Sequence, residues 1–330
     1  MVYNFCTLFD SYYFSRGLTL YNSLKEKCDN FHLYIFAFDD ETYNRLLELN
    51  LSSVTTISLS DFEDQELLAV KNKRTKAEYC WTSTSSTILY AISNYNLESC
   101  TYIDADLYFY SNPKELFDEI GDASIALTLH NYTKLYDQSA TSGKYCVQFV
   151  YFKNDINGIS ALKWWRNACI EWCYARLEDG KFGDQKYLDD WTERFDNVHV
   201  VKNLGAGLAL WNAQRFNIEK RINKYIIKDL NSNIEYNLIF YHFHGLKFKI
   251  KEHKIIIDAT KFRFDLKLKK LIYTDYIHKL VYIDYPYLKD YNQFFSELSP
   301  FVKLYLPLHF ILKKITFLQK IKAIFVSSMK

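Results

Sequence analysis

Along the N-terminal part of the chain, short runs of consecutive apolar residues alternate with stretches in which apolar residues return every three or four positions. Tyr3–Phe9 is such a run and predicts a buried strand, after which Leu18, Leu20, Tyr21 and Leu24 lie at helical spacing up to Lys27. A second run, residues 31–38, ends at Asp39-Asp40, and Tyr43, Leu46, Leu47 and Leu49 then mark a helix. Residues 54–59 predict a third strand. Strand, helix, strand, helix, strand in succession predicts an α/β protein with a parallel, doubly wound sheet. No Gly-x-Gly-x-x-Gly follows the first strand, so the dinucleotide fingerprint of a dehydrogenase is absent.

Further along, residues 77–95 read as a helix, Asn112-Pro113 opens another that reaches Ile120, and residues 123–129 and 147–152 read as strands. Residues 164–176 have helical spacing, with Trp165, Cys169 and Trp172 on the core side. Residues 262–269 alternate with period two, as a strand with one exposed face does. Residues 310–326 put Ile311, Ile315, Leu318 and Phe325 on one helical face with Lys313 and Lys320 opposite, although Lys314 falls inside the apolar arc. Neither internal repeats nor a low-complexity linker interrupts the chain, but the composition turns basic from Lys251. The expected organisation is therefore a main domain over residues 1–250 and a basic, amphipathic extension over residues 251–330. Within that extension, residues 310–330 carry five lysines (Lys313, Lys314, Lys320, Lys322 and Lys330), which suits a helix lying on an anionic membrane surface. A helix packed on the domain would give the same apolar face.

Composition narrows the class. At 330 residues and 49% hydrophobic content the chain can bury a sizeable core, and a net charge of +2 gives no general field for nucleic acid. Seven cysteines form no Cys-x-x-Cys pair and do not join the eight histidines at zinc-finger spacing, so they read as reduced core residues of a cytoplasmic protein. The N-terminus lacks the basic region of a signal peptide, and no stretch reaches the ~18 unbroken apolar residues of a membrane span. Aromatic residues make up 18%, but the chain is also rich in Lys, Asn and Ile, and the aromatic share alone carries little functional meaning.

The most informative stretch is Thr101-Tyr102-Ile103-Asp104-Ala105-Asp106-Leu107-Tyr108-Phe109-Tyr110. A buried strand that stops at Asp-x-Asp delivers two hard oxygen ligands to the carboxyl edge of a sheet, where open α/β folds bind their ligands. Such a pair suits a divalent cation that bridges to phosphate. A solvated turn gives the same three letters, but here the pair lies within an apolar run, where two like charges are costly without a counter-ion. Upstream, Lys71-Asn-Lys-Arg-Thr-Lys76 is either a solvated basic face or a source of phosphate contacts. Downstream, Gly183-Asp184-Gln185 sets an acid beside an amide, although Asp at a helix start is also an ordinary cap. Small residues in Asn203-Leu-Gly-Ala-Gly207, followed by Trp211-Asn212, permit close backbone approach. Finally, His242 and His244 sit two apart at a strand end, with Gly245 and Lys247 after them, a pattern for a metal ligand plus a phosphate contact.

Asp-x-Asp, Gly-Asp-Gln and His-x-x-Gly-x-Lys, in that order on an α/β chain, resemble the family 8 glycosyltransferases, a group that includes glycogenin and bacterial lipopolysaccharide galactosyltransferases. The resemblance covers most of residues 1–250. It implies a GT-A (Rossmann-like) nucleotide-sugar-binding domain with a mixed, mostly parallel sheet and a small C-terminal extension. It also implies a UDP-sugar donor, Mn²⁺ or Mg²⁺ as cofactor, a glycan or lipid-linked glycan acceptor, and hexosyl transfer with retention, in lipopolysaccharide or other surface polysaccharide synthesis. The enzyme would then work in the cytoplasm or on the inner face of the cytoplasmic membrane.

Carried over by position, the resemblance places Thr7, Asp10 and Tyr13 at the base and nucleotide, Lys76 and Lys247 at the diphosphate, and Asp104 and Asp106 at the metal. Asp184 and Gln185 would lie beside the transferred sugar, with Gln148 and Asn212 near sugar or acceptor. Two departures qualify it. Lys247 arrives one residue early and no Pro-Trp follows, so glycine spacing favours His242 as the metal ligand while His244 stays a candidate. An expected Asn-x-Gly is replaced by Tyr145-Cys146-Val147-Gln148, which leaves donor sugar and acceptor open. Two rival classes share the acidic motif. One is a non-catalytic nucleotide-sugar or glycan binder on the same scaffold; the other is a haloacid-dehalogenase-type phosphatase, whose Asp-x-Asp belongs on the first strand rather than past residue 100.

Overall fold

The structure, a computed structural model, describes residues 2–222, 224–251, 254–258 and 266–284. Its centre is a sheet of seven strands in the order β3-β2-β1-β4-β7-β6-β8. These are β1 (Tyr3–Phe9), β2 (Phe31–Ala37), β3 (Val54–Ile57), β4 (Ser99–Ile103), β6 (Ile125–Leu129), β7 (Tyr145–Lys153) and β8 (Val198–Val200). A short β5 (Leu107–Phe109) leaves the sheet immediately after the acidic motif. β1 pairs in parallel with β2 along its whole length and with β4 through Phe5↔Thr101 and Cys6↔Tyr102. Only β7 runs against the others, antiparallel to both β4 and β6. The sheet is thus mixed and mostly parallel, as expected.

Helices cover both faces: α1 (Phe14–Lys27), α2 (Asp40–Leu49), α3 (Leu59–Phe62), α4 (Gln65–Lys71), α5 (Lys76–Tyr95), α6 (Lys114–Ile120), α7 (Ser139–Ser142) and α8 (Ile156–Glu171). The two-residue period of the strands accounts for two cores. Phe5 and Phe9 of β1 join Leu33 and Ile35 in one, whereas Cys6 and Leu8 join Tyr34 and Phe36 in the other. The longest helix, α5, starts at a capping box in which Thr75 accepts from the Glu78 N–H and Glu78 reaches back to the Thr75 N–H.

Beyond the main sheet, β9 (Phe216–Arg221), β10 (Lys224–Asp229) and β11 (Glu235–Asn237) form a meander, and β12 (Phe240–His242) pairs with β5. β13 (Lys247–Lys251) and β14 (Lys254–Asp258) make a hairpin. The chain divides into two compact units, the first comprising Met1–Leu246 with Ala259–Ile283 and the second comprising Lys247–Asp258 with Asp284–Lys330.

Three sequence expectations need correction. The third strand stops at Ile57 because the Ser58 hydroxyl caps α3, accepting from the Asp61 N–H. The helix expected over residues 164–176 instead starts at Ile156 under an Asp155 cap and ends at Glu171. Period-two alternation over residues 262–269 gives way, in the part that is described, to helical backbone at Leu266–Leu268 and Lys269–Tyr273, leading into the helix Thr274–Asp284. Four-residue spacing explains this last case, since Leu268, Ile272, Tyr276 and Leu280 are all buried. The amphipathic segment expected over residues 310–326 lies outside the described residues.

Candidate active site

Backbone pairing assembles the metal-ligand candidates. β4 ends one residue before Asp104, whose N–H donates to the Gln148 carbonyl of neighbouring β7 (3.1 Å), and the Leu107 N–H closes a turn onto the Asp104 carbonyl (3.1 Å). After that turn β5 runs antiparallel to β12 in a register that sets His242 opposite Leu107, while the Phe243 N–H donates to the Asp106 carbonyl at 3.0 Å. Nε2 of His242 consequently lies 3.1 Å from Asp106 Oδ1 and 3.6 Å from Asp104 Oδ2. One ligand atom from each of the three residues falls within 4.8 Å of the others. His244 is exposed, with its ring 5.4 Å from that of His242 and 5.7 Å from that of Trp211, so it belongs to the same cluster but not to this triad.

The other nitrogen of His242, Nδ1, lies 2.8 Å from Gln148 Oε1. An amide oxygen only accepts, so Nδ1 carries the proton and the Nε2 side is turned to the carboxylates. Gln148 is fully buried, and Gly207 allows it to fit: a Cβ there would come within 2.5 Å of Gln148 Nε2, and its φ of +82° favours glycine as well. Asn212 holds the same loop, its amide donating to the carbonyls of His130 and Gly207 (2.9 Å each) and accepting from the Ala209 N–H (2.9 Å).

Charge in the triad is unbalanced in an informative way. Burial pushes Asp104 up to about 6, with His242 opposing and Asp106 adding to the rise. Burial would also raise Asp106, but the charge and hydrogen bond of His242 hold it below the usual carboxylate range. Burial would lower His242, yet the two carboxylates hold it well above its ordinary value. Two carboxylate oxygens and an imidazole nitrogen converge here, with Asp106 and His242 buried and Asp104 half-buried, and form a donor set that fits a divalent cation.

A second carboxyl lies close by. Asp184 is buried, and its carboxyl is pushed up to about 7 by burial and then by Asp104, with Thr84 and local backbone groups opposing. It is not a helix cap, because the short helix Lys186–Asp190 has Gln185 at its start. Trp165 Nε1 donates to its carbonyl at 2.9 Å, and Gly183 before it, at φ +53°, packs against the Trp81 ring. Cys80 marks the common corner: burial pushes its thiol up to about 12, Asp10 and Asp184 add to the rise, and Lys76 opposes it.

The first-strand candidates meet at the end of β1. Thr7 is fully buried with its hydroxyl unpartnered among the described residues, and Asp10 accepts from the Tyr13 N–H at 3.3 Å. Tyr13 is half-buried, its phenol raised by burial and then by Asp106. Lys76 opens α5 and Gln185 is half-buried beside Asp184. Lys247, the first residue of β13, belongs to the second compact unit.

Three neighbours of the triad were missed from sequence. Arg16 stands over the Tyr13 ring at 4.6 Å, and its only signal is a helical step of three from Tyr13. His130 stacks on Tyr132 at 4.5 Å and meets Trp211 edge-on at 5.4 Å, with its imidazole pushed down to about 3 by burial and then by His242. Tyr276 stacks on Phe243, and its one sequence signal is the four-residue spacing that it shares with Leu268, Ile272 and Leu280.

No protein-family model matches the sequence. The uncharacterized protein YfnD of Bacillus subtilis (strain 168) is 33% identical over 286 residues, covering 84% of this chain and 88% of that protein. YfnF of the same organism is 30% identical over 287 residues, covering 84% and 92%. Among solved structures, the galactosyltransferase LgtC in complex with donor and acceptor sugar analogs aligns with 89% of this chain and 100% of its own, at 10% identity and a TM-score of 0.47. The glycosyltransferase GlyE of Streptococcus pneumoniae TIGR4 aligns with 63% of this chain at 14% identity and a TM-score of 0.39. That match takes in 47% of GlyE, so this chain spans about half its length.

Proposed function

This chain belongs to one family with the Bacillus subtilis proteins YfnD and YfnF, and we propose that it is a metal-dependent glycosyltransferase that moves a hexosyl group from a UDP-sugar to a hydroxyl of a glycan acceptor. The observation that carries the reading is the convergence of Asp104, Asp106 and His242 at the carboxyl edge of the sheet, with the buried acid Asp184 close to Asp104. A divalent cation held by that triad would offset the negative charge that develops on a departing diphosphate.

The chain's own residues would do the rest. Asp10, Tyr13 and Thr7 bind the base end of the nucleotide, while Lys76 adds positive charge at the phosphates. Asp184 and Gln185 position the sugar near its anomeric carbon, and transfer proceeds with retention, as the family 8 resemblance implies. Gln148 supports the site by fixing His242. We place the acceptor among surface glycans or lipid-linked glycans, with lipopolysaccharide synthesis as the setting and attachment to an anionic inner leaflet through residues 310–330. Among the described residues, no helix is long and apolar enough to cross a membrane.

Calorimetry with UDP, GDP and CMP sugars, with and without Mn²⁺, tests the proposal directly. UDP-sugar binding should depend on Mn²⁺ and should be lost in Asp104→Asn and in Asp106→Asn while both variants stay folded. Undiminished UDP affinity in both would sink the metal-site reading.

A further inference from the structure

Two buried polar atoms beside the acidic pair have no hydrogen-bond partner among the described residues: Nε of Arg16 and Oη of Tyr276. They come from distant parts of the chain, Arg16 from the first turn of α1 and Tyr276 from the helix Thr274–Asp284. Tyr276 is only 1% exposed, and its ring lies flat on that of Phe243, with centroids 3.5 Å apart and planes 6° from parallel. Since the Phe243 N–H is bonded to the Asp106 carbonyl, this stacking holds the phenol against the segment that carries the acidic pair. Arg16 is fixed from two sides, over the Tyr13 ring and by a terminal N–H donating to the Leu246 carbonyl at 3.0 Å.

The electrostatics agree with this placement. Burial and then Asp106 raise the Tyr276 phenol, and Arg16 opposes them. The same three influences, with Arg16 again opposing, act on Tyr13. A buried donor left without an acceptor has lost its hydration and gained no bond in return. Two of them, a guanidinium N–H and a phenolic O–H, therefore call for an acceptor supplied from outside. Next to a cation site, an acceptor that is anionic and rich in oxygen is a phosphate.

We propose that Arg16 and Tyr276 form a protein-built anion subsite, beside the metal ligands, that takes the terminal phosphate of a nucleoside diphosphate. The inference rests on the nucleotide-sugar reading above and deepens it, because it predicts preference for diphosphate over monophosphate and brings the helix Thr274–Asp284 into the site.

The test is calorimetric titration of the full-length protein with UDP and with UMP in saturating Mn²⁺. Tyr276→Phe keeps the stacked ring and removes only the hydroxyl, whereas Arg16→Gln removes the charge. Each should weaken UDP binding by about tenfold or more and leave UMP binding within about twofold. Arg16→Lys, which keeps the charge but loses the fork, carries the same comparison if Arg16→Gln fails to fold. Equal losses for UDP and UMP, or no loss for either, would overturn the subsite. Wild-type protein that binds neither nucleotide would overturn the nucleotide-sugar reading itself, a result visible before any variant is made.

Discussion

Asp184→Asn should separate stability from activity in opposite directions. The Asp184 carboxyl is buried and raised from 3.8 to about 7, chiefly by burial and next by Asp104. A group whose folded pKa lies above its unfolded value contributes most stability below the unfolded value, and that contribution is lost as pH rises through the folded value. The protein should therefore lose stability from about pH 4 to about pH 7 on account of this one side chain, and stay at the lower level above that. At about 1.36 kcal/mol per unit, a rise of about three units corresponds to about 4 kcal/mol as an upper bound. The amide cannot ionise, so it escapes that loss. In chelator-treated protein, denaturant unfolding should show Asp184→Asn gaining on wild type from about pH 4 to about pH 7, by up to a few kcal/mol. Turnover of a UDP-sugar should fall by about two to three orders of magnitude, as when a charge-stabilising group is removed from a reacting centre. A stability gap that does not widen with pH would refute the electrostatic argument, and undiminished turnover would refute the placement of Asp184 at the sugar.

Three further outcomes are expected. Gln148→Leu should weaken Mn²⁺ binding by about 10–100-fold through loss of the His242 Nδ1 hydrogen bond, with Gln148→Glu restoring most of it; Mn²⁺ titration by electron paramagnetic resonance checks both. Asp229→Asn should cost about 3 kcal/mol in urea unfolding at neutral pH, because it breaks a two-pronged pair with Arg215 (2.7 and 2.9 Å) and leaves that cation without its buried partner. The Asp229 carboxyl is held well below its usual value, first by Arg215, so the wild-type advantage should fade as pH drops through and below the carboxylate range. Truncation after Pro307 should leave a folded protein that still binds UDP but no longer co-sediments with anionic vesicles; aggregation or lost UDP binding would argue for a helix packed on the domain instead.

How much of this was legible in the sequence follows from the range over which each signal acts. Apolar runs are local, so residues 3–9 and the end of the fourth strand at Asp104 could be read directly, and the acidic motif stood out because it interrupts such a run. Element ends were less legible where a single cap decides them, as Ser58 and Asp155 do. The alternating segment after residue 261 misled because Leu268 belongs to both a two-residue and a four-residue pattern, and only burial of Leu268, Ile272, Tyr276 and Leu280, with Leu266 exposed, selects the helix.

Long-range pairing is where sequence reasoning gave out. Sequence spacing favoured His242 over His244 on analogy alone, whereas the β5–β12 register supplies a physical reason: it sets His242 across from Leu107 and leaves His244 outside the group of atoms within 4.8 Å. The same register brings in residues with no motif. Once Phe243 is bonded to Asp106, any ring stacked on Phe243 borders the acidic pair, and that ring belongs to Tyr276. Gln148 behaves similarly, since one position on β7 fixes both its backbone bond to Asp104 and its side-chain bond to His242. The candidate site is therefore organised by two strand neighbours of the Asp-x-Asp turn, and substitutions that shift either register should harm metal binding more than substitutions of equal size elsewhere on the sheet.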